Sequence, residues 1–220
     1  MSLQEKLDAF KADFEGKKAP PHVVAIMHKA TADLIASGQA DRALKAGRAP
    51  KFALPDAHGG VVRSTDLLAK GPLVLTFYRG IWCPYCNMDL QAIAAAAAEI
   101  RALGASLVAI SPQTAPNRRK SERENALSFP ILSDHGNSVA NEFGLRYRLP
   151  DDLIAVYKSF GNDLTIGNGE DSWTLPMPAR YVIGTNSIIA YAEVNPDYTR
   201  RPDPSELLPA LRRLRTDAAA

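Results

Sequence analysis

The sequence predicts an α/β fold, a mixed central sheet flanked by helices, with an N-terminal helical extension. Three stretches carry that reading. The apolar, β-branched run 73–78 reads as a buried strand, and it turns at Gly80 into Cys83-Pro84-Tyr85-Cys86 at the start of an Ala-rich helix. A second buried run, 105–110, follows that helix, so the two strands are expected to be parallel. Late in the chain, the runs 180–183 and 188–192 flank Gly184-Thr185-Asn186-Ser187 and read as an antiparallel hairpin.

Taken in order, Leu3, Leu7, Phe10 and Phe14 recur at helical spacing, and Gly16 with Pro20-Pro21 should end that helix. Val23, Met27, Ala30 and Leu34 stripe a second helix that stops at Gly38, and a further helical turn is expected around Ala43-Leu44 before Gly47. Residues 1–48 are thus the helical extension and 49–220 the main domain. The apolar stripes of the extension must dock on that domain or on a second subunit, as in a homodimer. Pro50 and Pro55 keep 49–56 extended, the turn 56–60 leads to a short strand at Val61-Val62, and Ser64 should cap a helix over 65–69. That hairpin is expected at a sheet edge.

Gly71-Pro72 launches the central strand. The helix after Cys83 presents Leu90, Ile93, Ala97 and Ile100 on one face and should end at Gly104. Beyond the second strand come an exposed helix over 117–127, a short edge strand over 129–133 and a small helix at Val139 and Phe143 ended by Gly144. An amphipathic helix over 151–160, a loop over 161–169 and an extended, proline-containing 173–178 follow. Asp203-Pro204 caps a last helix with Leu207, Leu208, Leu211 and Leu214 on its apolar face.

The only two thiols of the chain stand at the strand-to-helix turn. There, free backbone N–H groups and the positive end of the helix favour an anion, so Cys83 is expected to be the more acidic and more exposed thiol. Pro84 fits the first helical turn, and Cys86 lies on the same face as Cys83, close enough for a disulfide. A zinc site would need two more ligands, and His22, His28, His58 and His135 are scattered without ligand spacing. A redox pair is the better reading, over an inert structural one.

With 220 residues, 46% hydrophobic and 23% charged, the chain is long enough for a substantial core and has globular composition. A net charge of +2 makes no case for nucleic acid or an anionic membrane. The basic clusters 117–120 and 199–201 read as solvated surface. Met1-Ser2-Leu3-Gln4-Glu5-Lys6 does not look like a secretory signal and no apolar run is long enough to span a bilayer, so a cytoplasmic setting is expected. In that reducing compartment a Cys-X-X-Cys is more often catalytic than a staple.

The residues Phe77-Tyr78-Arg79-Gly80-Ile81-Trp82-Cys83-Pro84-Tyr85-Cys86, Phe129-Pro130-Ile131-Leu132-Ser133-Asp134 and Pro178-Ala179-Arg180-Tyr181-Val182-Ile183 resemble the peroxiredoxin-like branch of the thioredoxin-fold superfamily, related to alkyl hydroperoxide reductase and thiol-specific antioxidant proteins. The resemblance runs from about Ala49 to Leu214 and implies a thioredoxin-like fold. It makes Cys83 the peroxide-attacking cysteine and Cys86 the resolving one. Peroxiredoxins proper carry Pro-X-X-X-Thr/Ser-X-X-Cys, whereas here Tyr78-Arg79-Gly80-Ile81-Trp82 leads to Cys83. Pro178 matches the cis-proline that thioredoxins hold against their disulfide, which predicts a cis Met177–Pro178 bond beside Cys83.

Three functions follow. A thiol peroxidase would oxidise Cys83 to a sulfenic acid with hydrogen peroxide or an organic hydroperoxide, close a Cys83–Cys86 disulfide and be recycled by a thioredoxin- or glutathione-type donor, with no cofactor. A thioredoxin-like oxidoreductase would act on protein or small-molecule disulfides through the same pair. An interaction module would use the cysteines only as redox sensors. The resemblance favours the first. Arg79 and Arg180 are the candidate cations for the peroxide, while Trp82, Pro84, Tyr85 and Pro178 are expected to shape the substrate site.

Overall fold

The structure is a computed structural model that describes residues 1–219. In the extension, α1 (Leu3–Asp13) starts at a Ser2–Glu5 capping box. Gly16 does not stop it: the chain continues as a π turn through Lys18, with the Ala19 N–H reaching back to the Phe14 carbonyl at 2.9 Å. Pro20 is what ends the run, and α2 (Pro21–Ala36) follows, closed at Gly38 in the left-handed region. The helical turn expected at Ala43-Leu44 lies instead at Gln39–Asp41.

β1 (Ala53–Pro55) and β2 (Val61–Arg63) form an antiparallel hairpin that is a sheet of its own, not the edge of the main one. In α3 (Ser64–Leu68) the Ser64 hydroxyl accepts the Phe52 N–H rather than capping the helix. Next come β3 (Leu73–Phe77), α4 (Pro84–Ala102), β4 (Ser106–Ser111), α5 (Ala115–Glu124), β5 (Ile131–Ser133) and α6 (Ser138–Glu142). β6 (Arg146–Arg148), which lacks an apolar pattern and was not expected, is followed by α7 (Asp151–Ser159). The expected 161–169 loop contains α8 (Leu164–Asn168), and β7 (Thr174–Pro176) pairs with β6 as a separate ribbon, in keeping with its proline. β8 (Ala179–Ile183), β9 (Ile189–Val194) and α9 (Leu208–Ala219) complete the chain.

The main sheet has the order β5-β4-β3-β8-β9. β3 is parallel to β4 and β4 to β5, while β8 lies antiparallel between β3 and β9. Strand alternation divides the core between two faces. On one face Val74, Leu107, Ala109 and Val182 pack against α4, against Leu3 and Leu7 of α1 and against Leu207 and Leu211 near the C-terminus. On the other, Leu75, Phe77, Ile110 and Tyr181 pack against Phe143 and the β1–β2 hairpin. The stripes of the extension therefore dock on the chain's own body: α1 on α4, and α2, through Val23, beside Leu153 and Tyr157 of α7. The thiol-bearing start of α4 emerges from the C-terminal end of β3, the central strand, under this helical cover. Among the described residues no helix is long and apolar enough to cross a membrane.

Candidate active site

Between β3 and α4, residues 78–82 form a tight loop held from both sides. The Tyr78 N–H donates to the Ile110 carbonyl at 3.0 Å. Gln113, just past β4 and fully buried, accepts the Ile81 N–H through Oε1 at 2.8 Å and donates from Nε2 to the Tyr78 hydroxyl at 2.9 Å. Asn87 of α4 donates to the Ile81 carbonyl at 2.7 Å. Gly80 sits at φ 156°, and a Cβ there would lie 2.4 Å from Trp82 Nε1, so only glycine lets the indole fold back over the loop.

Cys83 is the N-cap residue of α4: its carbonyl accepts the Asn87 N–H at 3.1 Å and Pro84 takes the first helical position. Its sulfur makes no capping bond and instead accepts from Arg79 Nη2 at 3.4 Å. Both cysteines are free thiols and both are 0% exposed, so the expected greater exposure of Cys83 is not found. The extension contributes part of the cover over Cys83. Phe10 of α1 and Phe14 join Met27, Trp82, Pro84, Tyr85, Tyr157, Phe160 and Tyr198 around a cavity of about 210 Å³ that Cys83 lines and Cys86 does not. Trp82, Pro84 and Tyr85 are thus gathered beside Cys83.

Arg79, 3% exposed, has no carboxylate partner among the described residues. Its guanidinium carbon lies 3.9 Å from the Tyr198 ring centroid and 4.9 Å from that of Trp82, and Nη1 donates to the Tyr157 hydroxyl at 3.1 Å. Burial pushes the Cys83 thiol up, but the Cys86 thiol and the charges of Arg79 and Arg201 outweigh it and hold Cys83 well below the ordinary thiol range. Burial and the neighbouring Cys83 sulfur push Cys86 well above that range. The pair is therefore biased toward negative charge on Cys83, where one guanidinium nitrogen of Arg79 meets the sulfur.

Arg180 is not at Cys83. It projects from β8 toward α4, as a strand residue on that face should, but it meets the helix at Asp89, six residues beyond Cys83 and about 9 Å along the axis at 1.5 Å per residue. There Nη2 pairs with Asp89 Oδ1 at 2.5 Å and Nη1 donates to the Pro202 carbonyl at 3.1 Å. Pro178 also departs from expectation. All described peptide bonds are trans, Met177–Pro178 included, and Pro178 does not line the cavity at Cys83. The thioredoxin-like argument built on that proline falls.

The basic clusters are not wholly solvated either. Arg118 is buried and donates to the Gln113 and Asp56 carbonyls at 2.6 and 2.8 Å. Arg201, 7% exposed, donates from Nη2 to Cys86 Sγ at 3.4 Å, with Nε 3.4 Å from Asp89 Oδ2. Sequence reasoning missed it. The signal was Asp89 itself, an acid set in the apolar stripe of α4, which demands a buried cation opposite. Gln113 and Tyr157 left no comparable trace.

A model described as the AhpC/TSA family matches residues 46–192. Peroxiredoxin Bcp of Escherichia coli (strain K12) is 32% identical over 103 residues, 46% of this chain and 65% of that protein. The chloroplastic peroxiredoxin Q of Triticum aestivum is 28% identical over 184 residues, 82% of this chain and 73% of that protein. The crystal structure of peroxidoxin BcpB from Mycobacterium tuberculosis is similar in fold, with a TM-score of 0.60 at 24% identity over 78% of this chain and 96% of that one.

Proposed function

The chain belongs to the AhpC/TSA family of thiol peroxidases, and on that premise we propose that Cys83 is its peroxide-attacking cysteine and Cys86 the resolving one. The Cys83 thiolate attacks one oxygen of a hydroperoxide, the O–O bond breaks, and an alkoxide or hydroxide leaves to be protonated. Cys83 becomes a sulfenic acid. Cys86 then attacks the Cys83 sulfur and hydroxide leaves, so the cysteine pair, having given two electrons to the peroxide, is left as one disulfide. A thioredoxin- or glutathione-type donor returns the pair to thiols. Hydrogen peroxide and organic hydroperoxides are the substrate class, and the apolar walls of the cavity favour the latter.

The observation that carries this reading is Arg79. A buried guanidinium whose anionic partner is the Cys83 sulfur is placed to steady both the thiolate and the charge that develops on the peroxide oxygens. The alternative, a disulfide oxidoreductase, keeps its Cys-X-X-Cys but loses the proline argument.

Turnover of hydrogen peroxide, an organic hydroperoxide and a protein disulfide, measured side by side, tests the assignment. Cys83→Ser should consume no peroxide, whereas Cys86→Ser should consume about one per protein and stop at the sulfenic acid. If Cys86→Ser instead accumulates mixed disulfides and reacts with peroxide no faster than an ordinary acidic thiol, the reductase reading replaces this one.

A further inference from the structure

Cys86 presents a difficulty that the peroxidase cycle does not remove. As a buried thiol it is held protonated by burial and by the Cys83 anion, yet to resolve the sulfenic acid it has to attack as a thiolate. Two buried guanidiniums contact the pair, and a third stands behind them. Arg79 holds the Cys83 sulfur, Arg201 holds the Cys86 sulfur, and Arg180 shares Asp89 with Arg201. Among the described residues Asp89 is the one carboxylate in contact with them, with Glu193 of β9 a more distant acid whose carboxyl burial pushes up. While Cys83 is a thiolate, the cluster has two anions. When peroxide converts it to a neutral sulfenic acid, one anion is lost and the guanidiniums are left undercompensated in a dry interior.

We propose that Arg201 is a positioning residue for resolution: it transfers the site's negative charge from Cys83 to Cys86 once Cys83 is oxidised, holding the Cys86 thiolate for attack on the sulfenic sulfur. The proposal rests on the peroxidase reading. In balance, the Cys83 thiolate takes an oxygen from the hydroperoxide and an alkoxide departs, taking up the proton of the Cys86 thiol. The Cys86 thiolate then bonds to the Cys83 sulfur, the S–O bond breaks and hydroxide leaves. Sum and charge are conserved: thiolate, thiol and hydroperoxide give disulfide, alcohol and hydroxide. Among the described residues Arg201 is the cation that hydrogen-bonds Cys86, whereas Arg79 acts on it only through space. The other groups that face it are Cys83, Arg79, Tyr78 and Tyr147; burial pushes Tyr78 up to about 12 and Tyr147 upward, so neither is an acid or a base at neutral pH. Two hydrogen bonds and an ion pair fix the Arg201 fork: Nη1 donates to the Tyr198 and Arg200 carbonyls, each at 2.6 Å, and Nε lies 3.4 Å from Asp89 Oδ2. Nη2 is left for the sulfur.

Single-turnover mixing of the reduced protein with hydrogen peroxide separates the steps, because sulfenic acid formation scales with peroxide concentration and condensation does not. Arg201→Met should prolong the sulfenic acid roughly 10- to 100-fold, the size of one lost charged hydrogen bond, and shift the pH midpoint of condensation upward. Arg201→Lys should recover part of both. Condensation within twofold of the unmutated rate at every pH would overturn the proposal, and so would a slowing with no change in midpoint, the mark of a purely structural role. Should the unmutated protein form no sulfenic acid, the peroxidase reading fails first, and the two failures are told apart. A second measurement leaves Arg201 in place. In Cys83→Ser the neutral serine stands in for the oxidised cysteine, and ultraviolet titration of Cys86 should show a midpoint below the ordinary thiol range. A midpoint at or above that range overturns the proposal without recourse to Arg201→Met.

Discussion

Two arginines stand 3.4 Å from two sulfurs three residues apart, and they differ in what else they touch. Arg79 is packed among aromatic rings, with one hydroxyl and no carboxylate. Arg201 is tied to Asp89 and to two backbone carbonyls. A guanidinium already balanced by a carboxylate has less attraction to spare for a neighbouring sulfur; one whose anion is the sulfur itself binds it strongly. Together with the hydrogen bond from Cys86, the difference favours negative charge on Cys83 over Cys86, although both sulfurs are equally buried.

Removing Asp89 would make the second site resemble the first, and it should have the largest effect on the fold. Asp89→Asn leaves Arg180 and Arg201 buried without their carboxylate, which typically costs about 3–5 kcal/mol when one partner of a buried pair is lost. Urea denaturation should show that loss as a lower midpoint at unchanged slope. In the protein that remains folded, Cys86 should also become more acidic, since Arg201 then has only the sulfur to bind. A stability change under about 1 kcal/mol would mean that the pair is open to water and that the contrast between the two arginines is not electrostatic.

The converse change strips Arg79 of its charge. Arg79→Met should slow peroxide attack by roughly 10²-fold, the size seen when one preorganised donor is removed. It also alters the pH profile. Attack requires the thiolate, so a Cys83 held well below the usual range gives a rate that reaches its plateau at lower pH than an ordinary thiol's and falls as the pH drops below that. Without Arg79 the fall should begin at higher pH. Stopped-flow oxidation across pH measures both, and an unchanged midpoint would show that Arg79 does not set the Cys83 charge. Arg79→Lys keeps the charge but not the fork, and therefore should preserve the midpoint better than the plateau.

The same contrast separates what could be read in the sequence from what could not. The strand 73–77, the α4 stripe and the late hairpin were legible because each is a local period: apolar runs for buried strands, and Leu90, Ile93, Ala97 and Ile100 for one helical face. Arg79 could be named because it lies four residues before Cys83 on the same short loop. Arg201 is 115 residues beyond Cys86 and meets it only because the segment between β9 and α9 folds over the first turns of α4. Local charge density classed it as surface, and only the lone acid of the α4 stripe pointed inward. Arg180 was named as a candidate cation by its place in the late strand, yet that does not specify which turn of α4 it meets. The cover over Cys83 was missed for a related reason: Phe10 and Phe14 read as one more core stripe, and nothing local showed that they would roof the cysteine.

The smallest predicted effect refines the comparison on the Arg79 side, where a side chain and not a carbonyl orients the guanidinium. Tyr157 accepts from Arg79 Nη1 at 3.1 Å, and burial pushes its own hydroxyl far above neutral pH, so it is a fixed neutral acceptor. Tyr157→Phe keeps the ring that packs 5.1 Å from Trp82 and removes only that oxygen. A neutral partner of this kind is worth about 0.5–1.5 kcal/mol, which converts to a few-fold to roughly tenfold in rate. Because the charge of Arg79 is untouched, the pH midpoint of Cys83 oxidation should stay in place while the plateau drops. Charge and orientation thus separate within one arginine: Arg79→Met moves midpoint and plateau together, and Tyr157→Phe moves the plateau alone. A shifted midpoint in Tyr157→Phe would mean that the hydroxyl works on the thiolate's charge, and the distinction drawn between a charge-setting and a fork-orienting contact would not hold.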